Sequence, residues 1–173
     1  MTTAPTGPLG RRFPSVGGTS LAQARVRLPD DLAGSPAVLL VAYRRGTQAD
    51  IDRWAAFLRL EAGAAPVFEV PVIPALVWRP LDGLIDGGMR GGVPRDQWDR
   101  VVTVYGDGAV IRGFLGDPGG LVALVVLLDA AGVVRWFHAG GFSPAAARQL
   151  LERLRELEPL EPPTEPPRRA DGR

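Results

Sequence analysis

With 173 residues, 46% of them hydrophobic, and a formal net charge of +1, the chain has material for one globular domain and no strong field for nucleic acid. It holds no cysteine and one histidine, His138, which excludes dithiol exchange, sulfur-based peroxide reduction and the common His/Cys zinc sites. All 20 basic residues are arginine, which with abundant alanine, glycine and proline reads as the codon bias of a GC-rich bacterial genome.

The first 29 residues lack acidic side chains and include Arg11, Arg12, Arg25 and Arg27. Scattered prolines and glycines break any amphipathic helix there, so a loop is expected, flexible over residues 1–9. Gly17 to Leu28 is expected to add an N-terminal strand or hairpin. Ala37 to Tyr43 is a continuous apolar run, suited to a strand covered on both faces. A helix should follow, with Thr47 as N-cap and Asp50 closing a capping box. Ile51, Trp54, Ala55, Leu58 and Ala62 recur at helical spacing, and Gly63 ends the pattern.

Val67 to Val72 reads as the next strand, parallel to the first through a right-handed crossover. Pro74 to Gly92 is irregular, with a short helix expected near Leu81 to Ile85 before a glycine-rich loop around Met89 and Arg90. A helical turn carrying Trp98 is expected over Pro94 to Arg100, then a strand over Val101 to Tyr105 and a helix over Asp107 to Leu115. Leu121 to Leu128 holds eight apolar residues in succession and reads as the central strand. The run is too short to cross a bilayer, so no integral membrane protein is expected. Asp129 to Gly132 turns into Val133 to His138 as a β-hairpin. Ser143 and Pro144 open a last helix with a stripe of Ala147, Leu150, Leu151, Leu154 and Leu157. From Pro159 the chain is proline-rich and charged, giving an expected domain over residues 10–158 and a disordered tail over 159–173.

The order β-α-β, irregular connection, β-α-β-β-α predicts an α/β thioredoxin-like fold: a central mixed sheet flanked by helices, with an N-terminal extension of the peroxiredoxin-related kind. Three stretches add a resemblance. Leu84 to Val93, containing Gly88-Met89-Arg90, resembles the "GMRxGI" segment of the assembly-factor family for the mitochondrial F-type ATP synthase. Val102 to Asp107 resembles that family's following strand and aspartate turn, and Leu127 to Trp136 its "LVDxxGxIRW" hairpin. Phe13-Pro14, the strand into Tyr43-Arg44-Arg45 and the helix through Trp54 also fit, so the resemblance covers most of the expected domain. It implies a thioredoxin-like chaperone for a membrane subunit of the rotor–stator sector, working by binding and without cofactor. No mitochondrial presequence is apparent, which points to a cytoplasmic bacterial relative.

Several positions then stand out. After the first core strand, Thr47-Gln48-Ala49-Asp50 resembles a peroxiredoxin Thr-x-x-Cys with carboxylate in place of thiol. Arg44 and Arg45 beside it are candidates for an anion or acidic-peptide patch. No proline stands near Ala123, where thioredoxins carry a cis-proline. Met89 and Arg90 offer an adaptable apolar contact and a carboxylate partner. Arg135 and Trp136 complete the candidate set, with Trp136 and His138 on one strand face. The expectation is a noncatalytic binding protein with an unidentified protein client. The rival reading is a small-molecule enzyme using Asp50, Arg44 and His138 in place of a thiol.

Overall fold

The computed structural model describes residues 7–63, 65–74 and 93–158. Seven strands and three α-helices are present among them. The strands are β1 (Val16–Ser20), β2 (Arg25–Leu28), β3 (Ala37–Ala42), β4 (Val67–Pro71), β5 (Val102–Thr103), β6 (Leu124–Leu128) and β7 (Val134–His138). The helices are α1 (Gln48–Glu61), α2 (Gly108–Leu115) and α3 (Pro144–Leu157). Four strands form a mixed sheet in the order β4-β3-β6-β7, with β3 and β4 parallel and the other neighbours antiparallel. The N-terminal hairpin pairs antiparallel with β5 in the order β2-β1-β5. Single parallel bridges, Glu69 to Val101 and Val72 to Val104, join the two sheets.

The centre of the sheet follows from the two apolar runs. Leu39 and Val41 of β3, with Leu124, Val126 and Leu128 of β6, face a core layer that holds Phe13, Val102, Val104 and Ile111 of α2. Their neighbours Val38, Leu40, Val125 and Leu127 face Trp54 and Leu58 of α1 and Leu150 and Leu154 of α3. Each large side chain so buried contributes roughly 1.5–3 kcal/mol, and only a strand without polar alternation can supply both layers. The hairpin turns at Gly132, whose φ of +77° an L side chain resists. Ser143 caps α3 as expected, its Oγ accepting the Ala146 amide at 3.1 Å, with Pro144 in the first turn.

Three expectations need correction. The capping box does not form: Thr47 lies in a 3-10 turn, Arg45–Thr47, with helical dihedrals, and no side chain caps α1. β6 begins at Leu124 and not Leu121, which is 57% exposed. Gly119 and Gly120, both at positive φ, still turn the chain there, and the first ladder pair is Leu124 with Val41. β5 keeps only Val102–Thr103 as ladder, with Val101 and Val104 held by single bridges. The expected helix near Leu81 to Ile85, the loop of Met89 and Arg90 and the tail 159–173 lie outside the described residues. Among the described residues no helix is long and apolar enough to cross a membrane.

Candidate functional site at the head of helix α1

β3 delivers the chain to Tyr43 and Arg44, and the 3-10 turn then swings it into α1, with the Thr47 amide donating to the Arg44 carbonyl at 3.0 Å. Gly46 packs directly under Leu121: a Cβ there would come within 2.9 Å of a Leu121 methyl, so that exposed side chain would have to swing aside. The exposed Leu121 therefore leans over the head of the helix. Thr47 is buried, so its side chain is not open to a partner from solvent.

Asp50 is also buried, in the first turn of α1. Its Oδ2 accepts the Ala123 amide at 2.9 Å and its Oδ1 the Phe142 amide at 2.8 Å. One carboxylate thereby fastens α1 to the residue before β6 and to the loop between β7 and α3. Both carboxylate oxygens are used by backbone donors and neither is left to face a ligand. The residue at the expected cis-proline position thus supplies an N–H that proline would lack.

Arg44 sits on the other side of the turn and has a dedicated partner. It makes a bidentate pair with Asp117, both contacts at 2.9 Å. Asp117 also accepts from Arg112 and from the Gly119 amide. The Arg44 hydrogen bond, then the Gly119 amide and the charges of both arginines, hold the Asp117 carboxyl below its ordinary range. The Arg112 guanidinium stacks 4.3 Å from the ring centroid of Tyr43. Burial pushes the Tyr43 phenol up to about 12, against the charge of Arg112, and its hydroxyl finds no hydrogen-bond partner among the described residues. Arg45 is exposed and makes no ion pair among the described residues.

The remaining candidates separate from this point. Arg135 donates to Asp129 at 2.6 Å and locks its own hairpin. Trp136 stacks on His138 with centroids 5.6 Å apart, and both meet Trp54 edge-on. His138 Nε2 lies 2.8 Å from the Gly141 carbonyl. Asp50, Arg44 and His138, the rival enzymatic set, each contact other groups and not one another. Met89 and Arg90 lie outside the described residues.

Sequence reasoning did not find Asp117, Arg112 or Tyr43. Asp117 stands in a turn 73 residues from Arg44, and no local spacing links the two. Among the described residues no group of three His, Asp or Glu side chains could hold a metal ion.

The sequence matches no protein-family model and no curated protein. Solved structures are similar over most of the chain. BsSco, a member of the Sco family of cytochrome c oxidase assembly proteins, is 14% identical with a TM-score of 0.61, over 89% of this chain and 97% of its own. The exposed lipoprotein thioredoxin of Streptococcus pneumoniae strain TIGR4 is 14% identical with a TM-score of 0.57, over 82% of this chain and 100% of its own. A thiol peroxidase from Chromobacterium violaceum is 15% identical with a TM-score of 0.56, over 87% and 90%. At such identities the likeness establishes the thioredoxin-like fold and leaves activity to the residues.

Proposed function

We propose that this protein is a noncatalytic binding member of the thioredoxin-like fold, an assembly factor that holds a segment of a protein client. The observation that carries the reading is the state of Asp50. At the helix head where a redox relative would present a thiol, this chain has a carboxylate engaged by the Ala123 and Phe142 amides. The scaffold is kept and its sulfur chemistry is absent, since the chain has no cysteine.

We assign client contacts to Arg45 and to exposed Leu121 over Gly46, and, on the sequence resemblance alone, to Met89 and Arg90, which lie outside the described residues. Arg44 joins them when Asp117 lets go. A client with an acidic residue beside an apolar one suits this set. The likeness to a Sco-family assembly protein supports an assembly role for such a scaffold. The Gly-Met-Arg and Arg-Trp resemblance suggests a membrane subunit of an F-type ATP synthase as client class, served from a bacterial cytoplasm.

Affinity capture from the native host, with wild type beside an Arg45→Glu, Met89→Ala, Arg90→Ala variant, tests the reading. The expected result is loss of one reproducible client with an unchanged melting temperature. Equal capture by both proteins, or peroxide or disulfide turnover by the purified wild type, overturns it.

A further inference from the structure

The connection from α2 to β6 is fastened at both ends and held by side chains alone between them. The Gly116 amide donates to the Arg112 carbonyl at 2.8 Å, and the Ala123 amide to the Asp50 carboxylate at 2.9 Å. Over residues 117–122 no backbone–backbone hydrogen bond reaches another described segment. Most of this stretch is exposed, and Gly116, Gly119 and Gly120 all lie at positive φ. Exposed backbone without ladder bonds belongs to the parts of a fold that open most readily.

Two side chains of this one strap close it over the head of α1. Asp117 accepts a bidentate pair from Arg44 at 2.9 Å and a further bond from Arg112. Leu121 lies across Gly46, close enough that a Cβ on Gly46 would stand 3.4 Å from its Cγ. Leu121 is nevertheless 57% exposed, so that contact leaves over half of its surface in water. Surface ion pairs contribute little, and apolar contact counts only for the area it covers. Each fastener is therefore weak alone. The Gly119 amide, on the Asp117 carboxylate at 3.0 Å, stiffens the short span between them, so one closed fastener keeps the other at high effective concentration.

We propose that residues 116–122 form a latch over the Arg44 site, and that Asp117 and Leu121 release together. Closed, Asp117 fills the Arg44 fork and Leu121 covers the Gly46 backbone. Open, Arg44 and Leu121 are both free for an acidic and an apolar residue of one client. A client carboxylate competes with Asp117 for the same guanidinium, and its capture of Arg44 shifts the strap toward the open state. This regulation rests on the binding role proposed above, and every residue of the latch is among those described.

Magnetic resonance on the full, ligand-free chain tests the coupling, which must be reciprocal. Two signals report on the fasteners: the Overhauser contact between the Leu121 methyls and Gly46, and rotation of the Arg44 guanidinium, which a bidentate pair slows. Asp117→Asn should weaken the first several-fold, and Leu121→Ala should speed the second several-fold. The chain has no cysteine, so a Gly46→Cys, Leu121→Cys protein can shut the latch with one disulfide. Its oxidised form should rotate Arg44 several-fold more slowly than its reduced form. An unchanged Leu121–Gly46 contact in Asp117→Asn, together with unchanged Arg44 rotation in Leu121→Ala, overturns the proposal. So does equal Arg44 rotation in the oxidised and reduced forms, or failure of the two thiols to pair. Absence of any client would end the binding role and leave these signals as they are.

Discussion

The carboxylate of Asp50 holds the backbone amide of Ala123 at 2.9 Å, joining the first turn of α1 to the residue that precedes the central strand β6. With the Phe142 amide on its other oxygen, the same side chain fixes three segments. Hydrogen bonds to charged groups are worth roughly 1.5–3 kcal/mol each. Asp50→Ala is therefore expected to cost about 2–4 kcal/mol, leaving two amides without acceptors. Asp50→Asn should recover only part of that, because its amide can accept from one partner and opposes the other with a donor. Urea denaturation at neutral pH reads both; an Asp50→Ala protein as stable as wild type would remove Asp50 from the scaffold.

Ala123→Pro tests the same bond from the other end. Proline removes the N–H that Asp50 accepts, so the two substitutions should not add. In a double-mutant cycle with Asp50→Ala the coupling is expected to be about 1 kcal/mol or more. A purely additive result would mean that proline acts through its ring geometry alone.

Asp117 controls how much of the arginine patch is open. It holds Arg44 and Arg112 together at the surface, where ion pairs contribute little to stability. Asp117→Asn should barely move the melting temperature, yet it should free Arg44 and strengthen binding of an acidic client peptide several-fold at low salt. Fluorescence anisotropy with an acidic peptide and its neutral analogue reads the difference. Because the Asp117 carboxyl is held low, chiefly by the Arg44 hydrogen bond, acidifying wild type only to about pH 5 should not mimic the variant.

Parts of this arrangement were readable from residue order. The apolar runs Ala37 to Tyr43 and Leu121 to Leu128 predict two doubly covered strands, and β3 and β6 are buried on both faces. Ser143-Pro144 marks the start of α3 because both signals act on the adjacent turn. Thr47 and Asp50 carry an equally plausible local signal, and there it fails. Asp50 bonds amides 73 and 92 residues away, and a spacing rule compares only neighbours. Arg44 likewise has the motif of a free cation and the contacts of a neutralised one, since its partner Asp117 is supplied by a distant turn.

The hairpin makes a pH prediction. Burial raises the Asp129 carboxyl, but the Val133 amide, Arg135 and the Ala131 amide outweigh it and leave the group below its ordinary value. A folded-state value below the unfolded one gives stability that is present above the ordinary aspartate range and lost as pH falls through the folded value. Asp129→Ala should therefore be less stable than wild type at neutral pH, with the difference shrinking below about pH 4. Thermal unfolding across that range checks it, and a gap that is constant with pH would assign the effect to turn geometry.

Glu69 predicts the opposite slope. Burial first, then the Asp52 charge, raises its carboxyl, while Gln48 and Arg59 on α1 oppose the rise. Asp96 and Arg100, on the 3-10 turn over Arg95–Arg100, line a surface cavity together with Glu69 and Arg59. A folded value above the unfolded one favours the fold while the group is protonated, and that contribution is lost as pH rises through the folded value. Glu69→Gln is neutral throughout, so it should match wild type near pH 4 and exceed it at pH 8. Urea midpoints at the two pH values measure the slope. A Glu69→Gln protein weaker than wild type at pH 8 would mean that a neighbouring cation or donor already stabilises this carboxylate in its charged form.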